Sequence, residues 1–320
     1  MILRFLGKAA LVAGLCITGA SAQEFPTKPI RIVVPYSPGG GTDVVARLVA
    51  QKLSTKLGQS VIVENKPGAS TNIGTRDVAT SPADGYTILI TAPNIATSES
   101  LFKNPGFRLE DLTPVIQLAR YPNVLVAGPG TTLTTLEAVL AQAKAEPQKL
   151  SFGTAGAGSN SHLTMELLKQ RTGVQMDHVP YKGSGPLKID LLGGHVPLGI
   201  DGLGGLSELI TTGKVKPLAV LAPERSPLAP NIPSLGDVGI KDIDGTGYNG
   251  ALVPAGTPPE VVARLNAAMA EALQDADVRE RLAPLGLEAV GGTSEEFSAL
   301  LYRERAKWAA VIKEAGITSE

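Results

Sequence analysis

Two short loops rich in glycine and hydroxyl side chains carry the residues best suited to bind a ligand. Each follows a run of residues typical of a β-strand and precedes a run with helical periodicity. A loop at a helix N-terminus offers free N–H groups at the positive end of the helix dipole, so each is a candidate anion site. The candidate residues of the first loop are Tyr36, Ser37, Pro38, Gly39, Gly40, Gly41, Thr42 and Asp43. Those of the second are Thr154, Ala155, Gly156, Gly158, Ser159, Asn160, Ser161 and His162.

Four further residues are candidates for the same ligand. Asn94 follows a predicted strand, so its amide is placed to reach a cleft from the first half of the chain. Tyr181, Lys182 and Gly183 follow another predicted strand, and the lysine would attract an anion at long range. Two loops facing each other across a cleft favour the capture of a small carboxylate over its chemical conversion.

The first loop has a structural alternative, a strand-to-helix turn that binds nothing. We expect Thr42 to cap the helix, and Asp43, which would repel an anion, to orient water or hold an amino group. The loop lacks the Gly-Lys-Ser/Thr ending of a nucleotide-binding P-loop, which makes that function improbable.

The second loop has two other interpretations. Residues 156–161 resemble the dinucleotide fingerprint G-x-G-x-x-G, with Asp177 near the spacing of a ribose-binding acid, but an exported protein meets little nicotinamide cofactor. Ser161 beside His162 suggests a serine hydrolase, as does Ser37, yet neighbouring residues of a helix point about 100° apart. No nucleophile-elbow pattern is present either. We therefore expect Ser161 to cap its helix and assign no catalytic residue.

The composition excludes several classes of function. Residues 1–22 read as a signal peptide, with Arg4 and Lys8 before an apolar stretch and a small-residue cleavage site. Removing it changes the formal net charge of the 320-residue chain from −1 to −3 and removes Cys16, the single cysteine. Disulfides and thiolate chemistry are then excluded. Scattered basic residues argue against nucleic acid, and the spacing of the three histidines argues against a metal; no cofactor is expected.

Strand and helix patterns alternate along the chain, which predicts an α/β fold with parallel sheets. The predicted strands are 30–34, 61–63, 86–90, 124–127, 150–152, 176–179, near 198, 218–221 and 250–253. The predicted helices are 45–57, 73–79, one capped by Thr134, 163–168, 186–192, 258–274, 278–285 and 294–315. We expect two lobes, 23–124 with 250–320 and 125–249, joined by two crossings, with the ligand at the carboxyl ends of the strands between them.

Several segments, taken together, resemble the Bug-type receptors, the periplasmic solute-binding proteins of tripartite tricarboxylate transporters. They are residues 26–43, 63–69, 84–87, 156–159 with 162–163, 178–183 and 254–258. The resemblance implies a two-lobed Venus-flytrap fold of the type II kind and a ligand carboxylate held by the loops at 37–43 and 154–161, partly through ordered water. It also implies a periplasmic receptor that serves a membrane permease with one large and one small subunit, and we expect the receptor to be a monomer.

Two positions depart from the pattern of these receptors. Many of them carry tryptophan where Tyr248 stands and an acidic residue where Pro197 stands. Both positions are expected to face the cleft from the side of the second lobe, so the identity of the ligand is not transferred. The sequence thus predicts a periplasmic receptor for a small carboxylate. A ligand-sensing subunit of a membrane kinase and, less favoured, an exported serine hydrolase are the alternatives.

Overall fold

The computed structural model describes residues 25–318, so the predicted signal peptide lies outside the described residues. The strands are β1 Ile30–Val34, β2 Val61–Asn65, β3 Thr87–Thr91, β4 Leu112–Tyr121, β5 Asn123–Ala127, β6 Ser151–Thr154, β7 Asp177–Pro180, β8 Leu198–Gly202, β9 Lys216–Val220, β10 Gly247–Pro254 and β11 Glu288–Gly291. The helices are α1 Gly41–Leu57, α2 Asn72–Ala79, α3 Asn94–Leu101, α4 Leu136–Ala145, α5 Asn160–Thr172, α6 Ser184–Leu192, α7 Leu203–Thr211, α8 Pro259–Gln274, α9 Ala276–Leu282 and α10 Ser294–Ala315. None of these helices combines the length and the apolar character that a membrane span requires.

The strands form two sheets, one in each lobe. The first has the order β11-β4-β10-β3-β1-β2 and the second β7-β6-β8-β5-β9. Strands linked through helices, such as β1 with β2 and β6 with β7, pair in parallel as the sequence predicts. The predicted parallel pairing does not extend to every strand, because β10 is antiparallel to β3 and β4, and β5 is antiparallel to β8 and β9. These exceptions enter their sheet directly from the other lobe, without the helical crossover that returns a chain in the same direction.

Apolar faces of the helices fix the two loops in place. In α1 the residues Val45, Leu48, Val49 and Leu53 are buried against the first sheet, and their spacing gives one helical stripe. In α5 every residue from 161 to 168 is buried, including Leu163 and Leu167. The buried stripe of each helix thereby holds its start close to the end of the preceding strand, with only the short loop between them.

The long C-terminal helix α10 packs against both lobes. Phe297 and Leu301, in its first half, join an apolar cluster of the first sheet that includes Leu89 and Leu252. Trp308, in its second half, is fully buried in the cluster of the second sheet. The helix therefore forms a third connection between the lobes, besides the two crossings of the chain.

Four elements and the cap of α4 differ from the sequence prediction. The strands β4 and β11 and the helices α3 and α7 were not predicted. In β4 a proline and several polar residues interrupt the apolar pattern, and the first turn of α7 contains Gly204 and Gly205, which have low helix propensity. The cap of α4 is Thr135, whose side chain accepts the N–H of Ala138 at 3.2 Å, and the prediction of Thr134 is wrong.

Candidate functional site

A cavity of about 430 Å³ lies between the lobes, at the carboxyl ends of β1, β3, β6 and β8. The beginnings of five helices line it. They are Gly41 and Thr42 of α1, Asn94 of α3, Asn160 and Ser161 of α5, Ser184 of α6, and Gly204 and Gly205 of α7. No lysine, arginine or histidine is among the residues that line this cavity in the described chain. Positive potential here comes from helix dipoles and N–H groups, which suits an anion without a fixed cationic partner.

The first loop is held from behind by Asp43. Its carboxylate accepts hydrogen bonds from the N–H of Gly39 at 2.9 Å, from Nε of Arg47 at 3.0 Å and from Nδ2 of Asn65 at 2.9 Å. Burial raises the pKa of Asp43, but these three donors outweigh it, so the pKa lies below its usual value. Asp43 is 2% exposed and does not line the cavity. Its role is therefore to hold the loop in shape and not to contact a ligand.

The hydroxyl groups of the first loop have defined partners. The cap position of α1 is Gly40, which makes no side-chain hydrogen bond, so the prediction that Thr42 caps this helix is wrong. The Thr42 hydroxyl instead accepts Nδ2 of Asn249 at 2.8 Å. Tyr36 donates to Oδ1 of Asn94 at 3.3 Å, and burial raises the pKa of Tyr36 to about 12, so the phenol stays a donor at neutral pH.

The second loop is capped by Ser159, and the prediction of Ser161 as the cap is wrong. The Ser159 hydroxyl accepts the N–H of His162 at 3.3 Å and donates to the carbonyl of Gly156 at 2.7 Å. Asn160 accepts Nδ2 of Asn123 through its carbonyl oxygen, while its own Nδ2 is enclosed without a hydrogen-bond partner in the described residues. Asn160 is therefore fixed in orientation with an unused donor.

A stacked pair of histidines supports the second loop from behind. The rings of His162 and His178 lie 3.7 Å apart, 12° from parallel. The N–H of Gly158 donates to Nδ1 of His162 at 3.0 Å, and Nε2 of His178 lies 2.7 Å from Oγ1 of Thr154. Burial, and then the nearby His162, lower the pKa of His178 to about 4. Within residues 25–318 neither ring hydrogen-bonds Ser161 or Ser37, so the pair does not have the geometry of a hydrolase base.

The structure brings nine of the predicted residues together around the cavity. They are Tyr36, Gly39, Gly41, Thr42, Asn94, Ala155, Ser159, Asn160 and Ser161. The other predicted residues are not among those that line the cavity. They are Ser37, Pro38, Gly40, Asp43, Thr154, Gly156, Gly158, His162, Tyr181, Lys182 and Gly183.

Sequence reasoning missed several lining residues, among them Tyr121, Asn123, Ser184, Asp201, Gly202, Gly204, Gly205 and Asn249. The run from Asp201 to Gly205 had a usable signal, because it is a third glycine-rich link from a strand to a helix. Asn249 lies inside a strand and had no local signal at all.

The two departures from the receptor pattern lie away from the cavity. Tyr248 is 2% exposed and packs in the core of the first lobe, with its ring 6.1 Å from that of Phe297. Pro197 precedes β8, and its carbonyl accepts the N–H of Gly128 at 2.9 Å. Neither residue lines the cavity, so the expectation that both face the cleft is wrong.

Asp201 is the one residue with a carboxyl group among those that line the cavity. Its Oδ1 accepts the N–H of Gly202 at 2.8 Å, and its Oδ2 is enclosed without a hydrogen bond of normal geometry in the described part of the chain. Burial raises the pKa of Asp201, while Ser184, the Gly202 N–H and Lys188 oppose the shift. A cavity otherwise suited to an anion thus contains one acidic group.

Comparisons with known proteins agree on one family. Residues 45–317 match the family model described as tripartite tricarboxylate transporter family receptor. Protein BugT of Bordetella pertussis is 37% identical over 318 residues, covering 98% of this chain and 97% of the relative. The solved structure of R. palustris Rpa4515 with adipate has a TM-score of 0.81 at 37% identity, covering 92% of this chain and 99% of that one. Periplasmic binding protein BugD gives a TM-score of 0.78 at 34% identity, with coverages of 92% and 100%.

Proposed function

The chain belongs to the tripartite tricarboxylate transporter receptor family, and from that premise we propose that it captures a small carboxylate in the periplasm and delivers it to a membrane permease. The convergence of five helix N-termini on one cavity between the lobes carries the proposal. Each of these helix ends favours a negative charge, and together they surround a space large enough for a small metabolite.

Binding requires only a modest free energy. A micromolar affinity corresponds to about −8 kcal/mol. Hydrogen bonds to a charged group contribute about 1.5–3 kcal/mol each, so a few N–H and hydroxyl donors suffice even after the cost of ordering the ligand. The chain has donors available at Asn160 and at the helix starts of both lobes. We infer that no bond in the ligand is made or broken.

Closure around the ligand follows from the two crossings. We place one hinge at Pro122, between β4 and β5, and the other in the segment that precedes β10. The predicted boundaries of the lobes, near residues 124 and 250, fall close to these places. A ligand that contacts both lobes stabilises the closed form, because only that form offers both sets of donors.

The partner of the closed receptor is a permease with a large and a small membrane subunit, and the receptor acts as a monomer. Family membership supports the first point. The second is supported by the cavity, which a single chain completes with residues from both of its lobes.

Titration calorimetry of the mature protein against a panel of mono-, di- and tricarboxylates tests the proposal. We expect at least one to bind with micromolar affinity or tighter. Mass spectrometry of the native protein, purified without added ligand, should then show the same carboxylate or a close analogue. A protein that binds no member of the panel and carries no anionic metabolite would refute the proposed function. Matched neutral amides of the acids serve as control ligands.

A further inference from the structure

The cavity has hydrogen-bond acceptors that the protein itself does not satisfy. Oδ1 of Asn249 is enclosed without a hydrogen-bond partner within the described residues. Oδ2 of Asp201 is enclosed as well and has no hydrogen bond of normal geometry there, although the Ser184 hydroxyl lies close enough to oppose the rise in the pKa of Asp201. Asn249 is oriented by its other atom, since Nδ2 donates to Thr42 at 2.8 Å. An enclosed acceptor without a donor is unfavourable, so a ligand gains affinity if it supplies one.

The protein offers the Asp201 carboxyl group two neighbouring donors, the Ser184 hydroxyl and the Gly202 N–H, and of these only the Gly202 N–H has normal hydrogen-bond geometry. Oδ1 of Asp201 is taken by the N–H of Gly202. Gly205 passes beside Oδ2, and a Cβ at that position would lie 2.6 Å from the oxygen, so a side chain there would displace the carboxylate. Lys188, the cation whose charge acts on Asp201, does not line the cavity. The carboxyl group is thus held in place at the cavity and left without a cationic partner there.

The helix starts alone would suit a ligand with a carboxylate at each end. Asp201 makes such a ligand unfavourable, because the second carboxylate would lie beside it. While Asp201 is ionised, it repels a second carboxylate nearby, and the repulsion is stronger in a poorly solvated space than in water. An N–H or O–H group on the ligand would instead donate a hydrogen bond to Oδ2 of Asp201.

We propose that Asp201 selects ligands that combine a carboxylate with an N–H or O–H donor, the carboxylate lying against the helix starts and the donor against Oδ2 of Asp201. This inference rests on the proposed function and narrows its ligand class to amino- or hydroxy-substituted carboxylates. Asp201 is a specificity-determining residue in this assignment. Gly205 allows its carboxyl group to keep this position, because any larger residue would place a side chain against Oδ2.

Calorimetry with a matched ligand series tests the inference on the unchanged protein. The series contains a plain monocarboxylate and its amino, hydroxy and carboxy derivatives, at equal chain lengths and with the substituent moved along the chain. We expect the best amino or hydroxy acid to bind about ten- to a hundredfold more tightly than both the plain acid and the dicarboxylate. The amino and hydroxy members then tell which donor Asp201 prefers.

Asp201→Asn provides the second measurement. Because the Gly202 N–H holds Oδ1, the new amide NH2 takes the place of Oδ2 and presents a donor in place of an acceptor. The affinity ratio of the best amino or hydroxy acid to the plain acid should then fall by about ten- to a hundredfold, and the dicarboxylate should bind relatively more tightly. Asp177→Asn, on an exposed residue at the start of β7, is the matched control and should keep the wild-type order.

The outcomes separate this inference from the proposed function. A wild-type protein that binds the dicarboxylate more tightly than every amino and hydroxy acid would overturn the inference and leave the receptor function intact. If no carboxylate binds at all, the receptor function itself fails. An Asp201→Asn protein that does not fold leaves the wild-type series to decide.

Discussion

His162 offers a direct test of how the second loop is kept in shape. Its Nδ1 accepts the N–H of Gly158 at 3.0 Å, and its ring stacks on His178 at 3.7 Å. Two substitutions separate these contacts. His162→Phe keeps a ring for stacking but removes the acceptor, whereas His162→Asn keeps an acceptor near the position of Nδ1 but removes the ring.

The expected size of the effect follows from what each change leaves behind. His162→Phe leaves a buried N–H on Gly158 without an acceptor, which costs about 1–3 kcal/mol of the free energy of unfolding. The other contact of His162, with Glu166 at 3.6 Å, matters less because Glu166 keeps Lys169 at 2.9 Å. His162→Asn loses the stacking of the rings. This should lower the free energy of unfolding by about 0.5–1.5 kcal/mol, in addition to the loss from the apolar surface that is no longer buried.

Urea unfolding and calorimetry together give the readout. His162→Phe should weaken carboxylate binding more than its loss of stability alone explains, because the Gly158 N–H fixes the loop that leads to Ser159 and Asn160. His162→Asn should lose stability but retain most of its affinity. Equal affinities for His162→Phe and the wild type would show that the loop does not depend on this hydrogen bond.

Three further predictions follow from single contacts. His178 has a pKa of about 4 when folded and about 6.5 when unfolded, so the unfolded state binds more protons between these values. Stability should therefore fall as the pH drops from about 6.5 to 4, by about 1–2 kcal/mol after screening of this partly exposed ring, and His178→Phe should flatten the urea-midpoint profile. Asp43→Asn should cost about 1–3 kcal/mol in urea unfolding, because the buried group loses its charge opposite Arg47; an unchanged midpoint would contradict the bracing role. Gly204→Ala would place a methyl group against the carbonyl of Leu285 across the cleft, so it should weaken binding and enlarge the ligand-bound particle in X-ray scattering, unlike Gly185→Ala, which meets no neighbour.

The sequence predicted the first lobe well because its local signals agree with its packing. The run at 30–34 is apolar, ends at a proline and proves to be a strand with four of its five residues buried. The glycine loop that follows is tied to the start of α1, whose apolar stripe is unambiguous. Where periodicity, turn residues and burial all point to one structure, the prediction of the element and of its place beside the cavity is reliable.

The remaining parts of the site depend on contacts between distant residues. Asn249 reaches Thr42 across 207 positions, and Asn123 reaches the carbonyl of Gly245 across 122. No local pattern encodes such pairs. Thr42 and Ser161 were misjudged as caps for a related reason, since hydroxyl groups near a helix start satisfy the usual sequence rule equally well, and only the φ and ψ angles decide which residue lies at the cap.

The third connection between the lobes limits how the cleft can open. The two crossings alone would allow a wide rotation about Pro122 and the segment before β10. Helix α10, however, buries Phe297 in the first lobe and Trp308 in the second, and the indole of Trp308 donates to Glu304 at 2.8 Å within the same helix. An opening motion must therefore either bend α10 or slide one of these clusters, and a packed cluster resists sliding because separated side chains leave cavities. Opening should accordingly pivot near α10 and separate Gly204 from Leu285, which meet at the cavity.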